Sequence, residues 1–102
     1  MKNLTLIVHA DIEQALADML RGLPQVRGFT IVQVEGHGAQ SNQDRLLAAH
    51  DQVVGYTPHI RVDVVLANEA VEEVVNALRT SDCGVVGQGV YWITAVDEFG
   101  LL

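Results

Sequence analysis

Four short strand-like segments and two amphipathic helical ones predict an α+β domain. They run β-α-β, then a long polar stretch, then β-α-β. Two such halves back to back give the ferredoxin-like βαββαβ arrangement, a four-stranded antiparallel sheet with both helices on one face. The 102 residues are expected to form one domain, residues 1–102, since the length does not supply a second core.

The first strand is read over residues 3–9, NLTLIVH. Leu4, Leu6 and Val8 share one face; Thr5, Ile7 and His9 share the other. Asp11 stands where a helix N-cap belongs, with Gln14 three residues on as its capping-box partner. Ile12, Ala15, Leu16, Met19, Leu20 and Leu23 follow at helical spacing, and Gly22 and Pro24 mark the stop. Residues 29–35, FTIVQVE, make the second strand, ended by Gly36-His37-Gly38. The third covers 59–67, HIRVDVVLA, with Ile60, Val62, Val64 and Leu66 on one face. Asn68 is the expected N-cap of the second helix, whose inward stripe is Val71, Val74, Val75 and Leu78. Glu69, Glu72 and Glu73 suit the start of that helix's dipole and Arg79 its end. A glycine-rich loop, CGVVGQG, spans 83–89, and the last strand is VYWITAVD, residues 90–97.

The sheet face turned away from the helices is read as Ile7, Thr30, Val32, Val34, Val65, Tyr91, Ile93 and Ala95, with Arg61 and Asp63 near one end. An open antiparallel face is normally polar. A partly apolar one is an interaction surface, so a homo-oligomer packed sheet against sheet is expected.

Thirteen acidic against six basic residues give a net charge of -7. With no basic stripe, neither nucleic acid nor an anionic membrane surface is expected as a partner. One cysteine, Cys83, allows no internal disulfide and fits a reducing compartment. The apolar run Leu4–Val8 is too short for a secretory leader, and no run approaches a membrane span. A soluble cytoplasmic protein without membrane insertion is expected.

The stretch from Gly38 to Pro58 is the longest connection, and connections longer than about 12–15 residues are usually functional or disordered. Its polar sequence is expected to be mobile until a ligand or partner orders it. Two glycine clusters flank the second half: Gly36-His37-Gly38, and Gly84, Gly87 and Gly89 before the last strand. Backbone N–H groups of such loops can face an anion, though neither cluster has the spacing of a known nucleotide fingerprint. The histidines His9, His37, His50 and His59 show no metal-ligand spacing; His37, His50 and Cys83 could form a transition-metal site only by converging in space or across a subunit interface. No nucleophile or metalloprotease motif occurs, and no enzyme activity is expected.

In order and spacing, FTIVQVEGHGAQ, the long stretch, YTPHIRVDVVLANEAVEEVVNALRT and CGVVGQGVYWITAVDE together resemble the P-II signal-transduction family over nearly the whole chain. The specific parts are V-x-G-x-G-x-Q (Val34, Gly36, Gly38, Gln40), Pro58, and G-x-x-G-x-G (Gly84, Gly87, Gly89). The resemblance implies a homotrimer whose long segment, residues 38–58, is a T-loop that docks target proteins. It also implies a B-loop at 84–89, and ATP or ADP bound in clefts between subunits. Carried over, the ligand-binding positions are Gly36, Gly38, Gln40, Gly84, Gly87, Gln88 and Gly89.

The departures from the pattern fall on the phosphate-binding charges. Val85 and Val90 stand where the family has basic residues, and Gln88 where it has an acidic one. Residues 98–102, EFGLL, bring none of the arginines usual in the C-terminal segment. Gln52 sits near the place of the tyrosine that some members have modified. ATP and ADP are therefore expected to bind weakly or not at all, unless the fold brings Arg61 or Arg79 to the cleft. The chain looks like the short P-II-like proteins associated with heavy-metal efflux systems; the divalent-cation-tolerance family is related in fold. A non-catalytic regulator is expected, sensing a small ligand and acting on a partner such as a membrane transporter. A metal-binding protein of divalent or heavy-metal homeostasis and a ligand-free trimeric scaffold remain the alternatives.

Overall fold

The computed structural model describes residues 1–37 and 57–102; Gly38, Gln40, His50 and nearly all of the 38–58 segment lie outside the described residues. The described elements are β1 (Lys2–His9), α1 (Glu13–Gly22), β2 (Thr30–Gly36), β3 (Thr57–Leu66), α2 (Val71–Thr80) and β4 (Gly89–Ala95). The strands lie in the order β2-β3-β1-β4, and each neighbouring pair is antiparallel. This is the expected ferredoxin-like α+β fold.

Register assigns the faces. Leu4 lies opposite Val64 on one side and Ile93 on the other; Leu6 lies opposite Val62 and Tyr91. Residues paired across a sheet share a face. Leu4, Leu6, Val8, Ile60, Val62, Val64 and Leu66 therefore form the core side of the sheet, and all are buried. Against them pack Leu16 and Leu20 of α1 and the expected stripe of α2, Val71, Val74, Val75 and Leu78.

Several local expectations need correction. Tyr91 and Ile93 belong to the core side with Ala95, which pairs with Lys2, so the open face of β4 carries Val90, Trp92 and Thr94. The strand's apolar run reads alike in either parity, so alternation alone could not choose. Arg61 and Asp63 sit in the middle of β3, beside Thr5 and Ile7, not near one end of the face. Asp11 does not cap α1. A 3-10 turn, Ala10–Ile12, comes first, and the Nδ1 of His9 accepts the Asp11 N–H at 3.1 Å. Gln14 instead donates to Asp18 Oδ1 at 3.0 Å. Leu16 and Leu20 are buried as expected, but of the two alanines flanking their stripe it is Ala17 that is buried and Ala15 that is exposed. A second 3-10 turn, Asn68–Ala70, precedes α2, whose cap position is Ala70 with no side-chain bond.

The open face has a polar centre. Arg61 Nε donates to Asp63 Oδ2 at 3.0 Å, and its Cζ lies 5.7 Å from the Trp92 ring centroid. Asp63 Oδ1 also accepts from Thr5 Oγ1 at 2.8 Å and Asn3 Nδ2 at 3.1 Å. Burial pushes the Asp63 carboxyl up, but the bonds from Arg61, Thr5 and Asn3 outweigh it and hold the group below its ordinary value.

Candidate functional site

The glycine loop is shaped by two left-handed positions, Gly84 at φ 96° and Gly87 at φ 77°, which side chains other than glycine rarely adopt. Between them the chain turns back, with the Gln88 N–H bonded to Val85 O at 3.0 Å and Gln88 O accepting from the His9 N–H at 3.3 Å. Gly89 then opens β4. A Cβ there would strike the Ile7 carbonyl oxygen and the Val8 backbone, so only glycine lets β4 begin flat against β1.

Two cavities meet at this point. The larger, about 430 Å³, lies on the helix side between α2, the glycine loop and β4. Its walls include Val75, Leu78, Val85, Val86 and Val90, with Gly87 and Gly89 at the loop. Arg79 enters it from the last turn of α2, donating from Nη2 to Tyr91 Oη at 3.0 Å, with Cζ 5.3 Å from the ring centroid. The smaller, about 200 Å³, opens on the other side of the sheet between Ile7, Glu35, Gly36, His37 and His59. Gly89 and Val90 line both.

Of the positions carried over from the sequence motifs, Gly87 and Gly89 line the larger cavity, and Gly36 and Gly89 the smaller. Gly84 and Gln88 shape the loop and line neither. Gly36 has a packing role as well, because a Cβ there would strike the His59 ring. Val85 and Val90, the positions without the usual basic residues, both line the larger cleft, Val90 where its side chain turns to the open face of the sheet. Of the two arginines that could compensate, Arg79 reaches the cleft, whereas Arg61 is held on the open face of the sheet by Asp63. The sequence placed Arg79 at the end of the helix dipole and named it, with Arg61, as a cation for the cleft only if the fold brought it there; Tyr91 it placed on the wrong face. Their meeting depends on the parity of β4.

The metal candidates do not gather. His37 is exposed, with Nε2 3.3 Å from Glu35 Oε2. Cys83 is buried in the core, its Sγ accepting from Ser81 Oγ at 3.0 Å. Among the described residues no three His, Cys, Asp or Glu side chains are grouped to hold a metal ion. Two histidines that carried no role are instead buried at the strand ends, His9 and His59, with ring centroids 5.6 Å apart. His59 Nδ1 lies 3.0 Å from the Thr57 carbonyl and so carries the proton, whereas His9 Nδ1 accepts an N–H and carries none.

A ferredoxin-like sheet with a glycine loop entering its edge strand, and a long segment leaving the sheet beside that loop, defines a P-II-like class of protein. The chain matches, over residues 1–102, the family described as "Protein of unknown function (DUF3240)". It is 32% identical over 89 residues to the nitrogen regulatory protein P-II of Rhizobium meliloti (strain 1021), covering 86% of this chain and 75% of that protein. The P-II protein of Rhizobium leguminosarum bv. viciae is 32% identical over 74 residues, 72% of this chain and 67% of its own. The crystal structure of a DUF3240 family protein from Shewanella baltica OS155 superposes with a TM-score of 0.76 at 20% identity, covering 99% of this chain and 94% of that one. The chain belongs to the DUF3240 family and is a divergent P-II-like protein.

Proposed function

We propose that the chain is a non-catalytic regulatory protein of the P-II-like kind, a homotrimer that senses a small ligand in the glycine-loop cleft and acts on a partner protein through residues 38–58. One observation carries the reading. The long segment leaves the sheet at Gly36–His37 and returns at Thr57, and Gly36 pairs with Thr57. The cavity at that junction shares Gly89 and Val90 with the larger cleft. A ligand in the cleft is thus one strand away from the root of the segment that would report it.

The trimer is supported by the open face. Ile7, Val32, Val34, Val65, Val90 and Trp92 surround the Arg61–Asp63 pair there. Val32 is 50% and Trp92 41% exposed. Asn3 Oδ1 is a buried acceptor without a partner among the described residues. A second copy laid on this face would cover all of them. A cytoplasmic location and a partner in a membrane transport system complete the proposal; among the described residues no helix is long and apolar enough to cross a membrane. The metal-homeostasis alternative has less support, since Cys83 is committed to the core.

Hydrogen exchange on the full chain tests the reading. A panel of Mg-ATP, Mg-ADP and small organic acids is first screened by thermal shift. A ligand that raises the melting temperature should also change amide exchange within residues 38–58. If every stabilising ligand leaves exchange there unaltered, the sensing role is wrong.

A further inference from the structure

The larger cleft restricts what it can hold by size, wall chemistry and charge. Its volume of about 430 Å³ lies within the range of sites for small organic molecules. Valine and leucine side chains make most of its wall. Among the described residues no Asp or Glu lines it, and Arg79 is the charged group that does. The neighbouring groove on the far side of Arg79 is different, because Lys2 and Glu72 line it together.

Arg79 is aimed rather than neutralised. Its hydrogen bond to the Tyr91 hydroxyl and its position over the ring fix the guanidinium's direction. A neutral phenol leaves the positive charge in place, and among the described residues no carboxylate pairs with it. A neutral apolar ligand would leave this charge unanswered. A ligand with several charges would set the others against Val85 and Val86, which offer them no cation. One negative charge on an apolar body meets both conditions.

We propose that this cleft binds a small organic acid with an apolar body and a single negative charge, the acid group on Arg79 and the body against the valine wall. The proposal rests on the ligand-sensing reading above and names the class of ligand. It departs from nucleotide binding, because Val85 and Val90 bring no cation to a chain of phosphates.

Calorimetry on the full chain tests it with three probes: decanoate below its micellar concentration, decanol, and Mg-ATP. Decanoate should bind about tenfold or more tightly than decanol, the value of one charge-assisted contact. Arg79→Gln keeps the first three carbons of the side chain and removes the guanidinium and its charge; it should abolish that preference, with a far smaller effect on decanol. Val86→Asp, at a mostly exposed position of the wall, should weaken decanoate by a larger factor than decanol. Decanol binding as tightly as decanoate, Mg-ATP binding more tightly than decanoate, or decanoate binding untouched by Arg79→Gln would overturn the ligand class. Each of these leaves the sensing role standing on its own exchange experiment. If none of the three probes binds, the class is likewise overturned, and the sensing role is decided by the wider ligand panel.

Discussion

At single positions, two glycines carry constraints that can be separated by one methyl group. At Gly89 an added Cβ meets the main chain of β1, which has no rotamer to yield; at Gly36 it meets the ring of His59, which can turn at the loss of its bond to Thr57. Gly89→Ala should therefore lower unfolding free energy by about 1–3 kcal/mol, the usual cost of overpacking, and Gly36→Ala by less. Gly28→Ala, whose Cβ would meet open space, should be close to neutral in the same urea titration. Asp63 makes a prediction in pH. Its carboxyl titrates below the ordinary value, so its stabilising contribution is complete above the unfolded pKa of about 4 and is lost as pH falls through the folded one. Asp63→Asn should be less stable than the parent at pH 7, and thermal melts should show the gap closing on acidification below about pH 4. Val85 and Val90 predict that Mg-ATP binds more weakly than low-micromolar. Two absent charge-assisted contacts weaken affinity by about two to four orders of magnitude. A low-micromolar calorimetric constant would mean that Arg79 suffices.

Among the elements, α1 gives the sharpest test of where the core boundary lies. Ala17 is buried and Ala15 exposed, although the apolar spacing favoured Ala15. Ala17→Glu should cost more than about 3 kcal/mol, because it buries a charge without a partner. Ala15→Glu should be nearly neutral, as guanidinium unfolding would show. The contrast also explains what was legible in the sequence. The inward stripe of α2 was legible because its apolar side chains recur at helical spacing against a polar remainder. The core side of β1 and β3 was legible because Leu4, Leu6, Val8 and Ile60, Val62, Val64 alternate with more polar neighbours. In α1 the edge of the stripe was misread because Ala15 and Ala17 stand on either side of Leu16 and differ in nothing but position. In β4 the parity was lost because Val90, Tyr91, Trp92 and Ile93 are all apolar or aromatic. The glycines of the candidate site were legible from their spacing. Arg79 was legible only as one of two candidate cations beside Arg61, since its place in the cleft depends on Tyr91 and hence on the parity that the sequence leaves open.

At the scale of the molecule, the proposed trimer predicts the association state. Light scattering at micromolar concentration should give three times the mass of one chain. Trp92→Asp, which places a second carboxylate across the sheet from Asp63's neighbourhood and removes the ring under Arg61, should shift the population toward monomer without loss of helical circular dichroism. A parent protein that is monomeric at every concentration would remove the trimer from the proposal. The pairing of Gly36 with Thr57 has a further consequence. It staples the two ends of a 20-residue span, positions 37–56, to one rung of the sheet. The entropy of closing such a span grows only logarithmically with its length, by about 0.6 kcal/mol per doubling. The domain is thereby a chassis with a socket: foreign recognition peptides of quite different lengths could be grafted between Gly36 and Thr57 while the sheet and its cleft stay as they are.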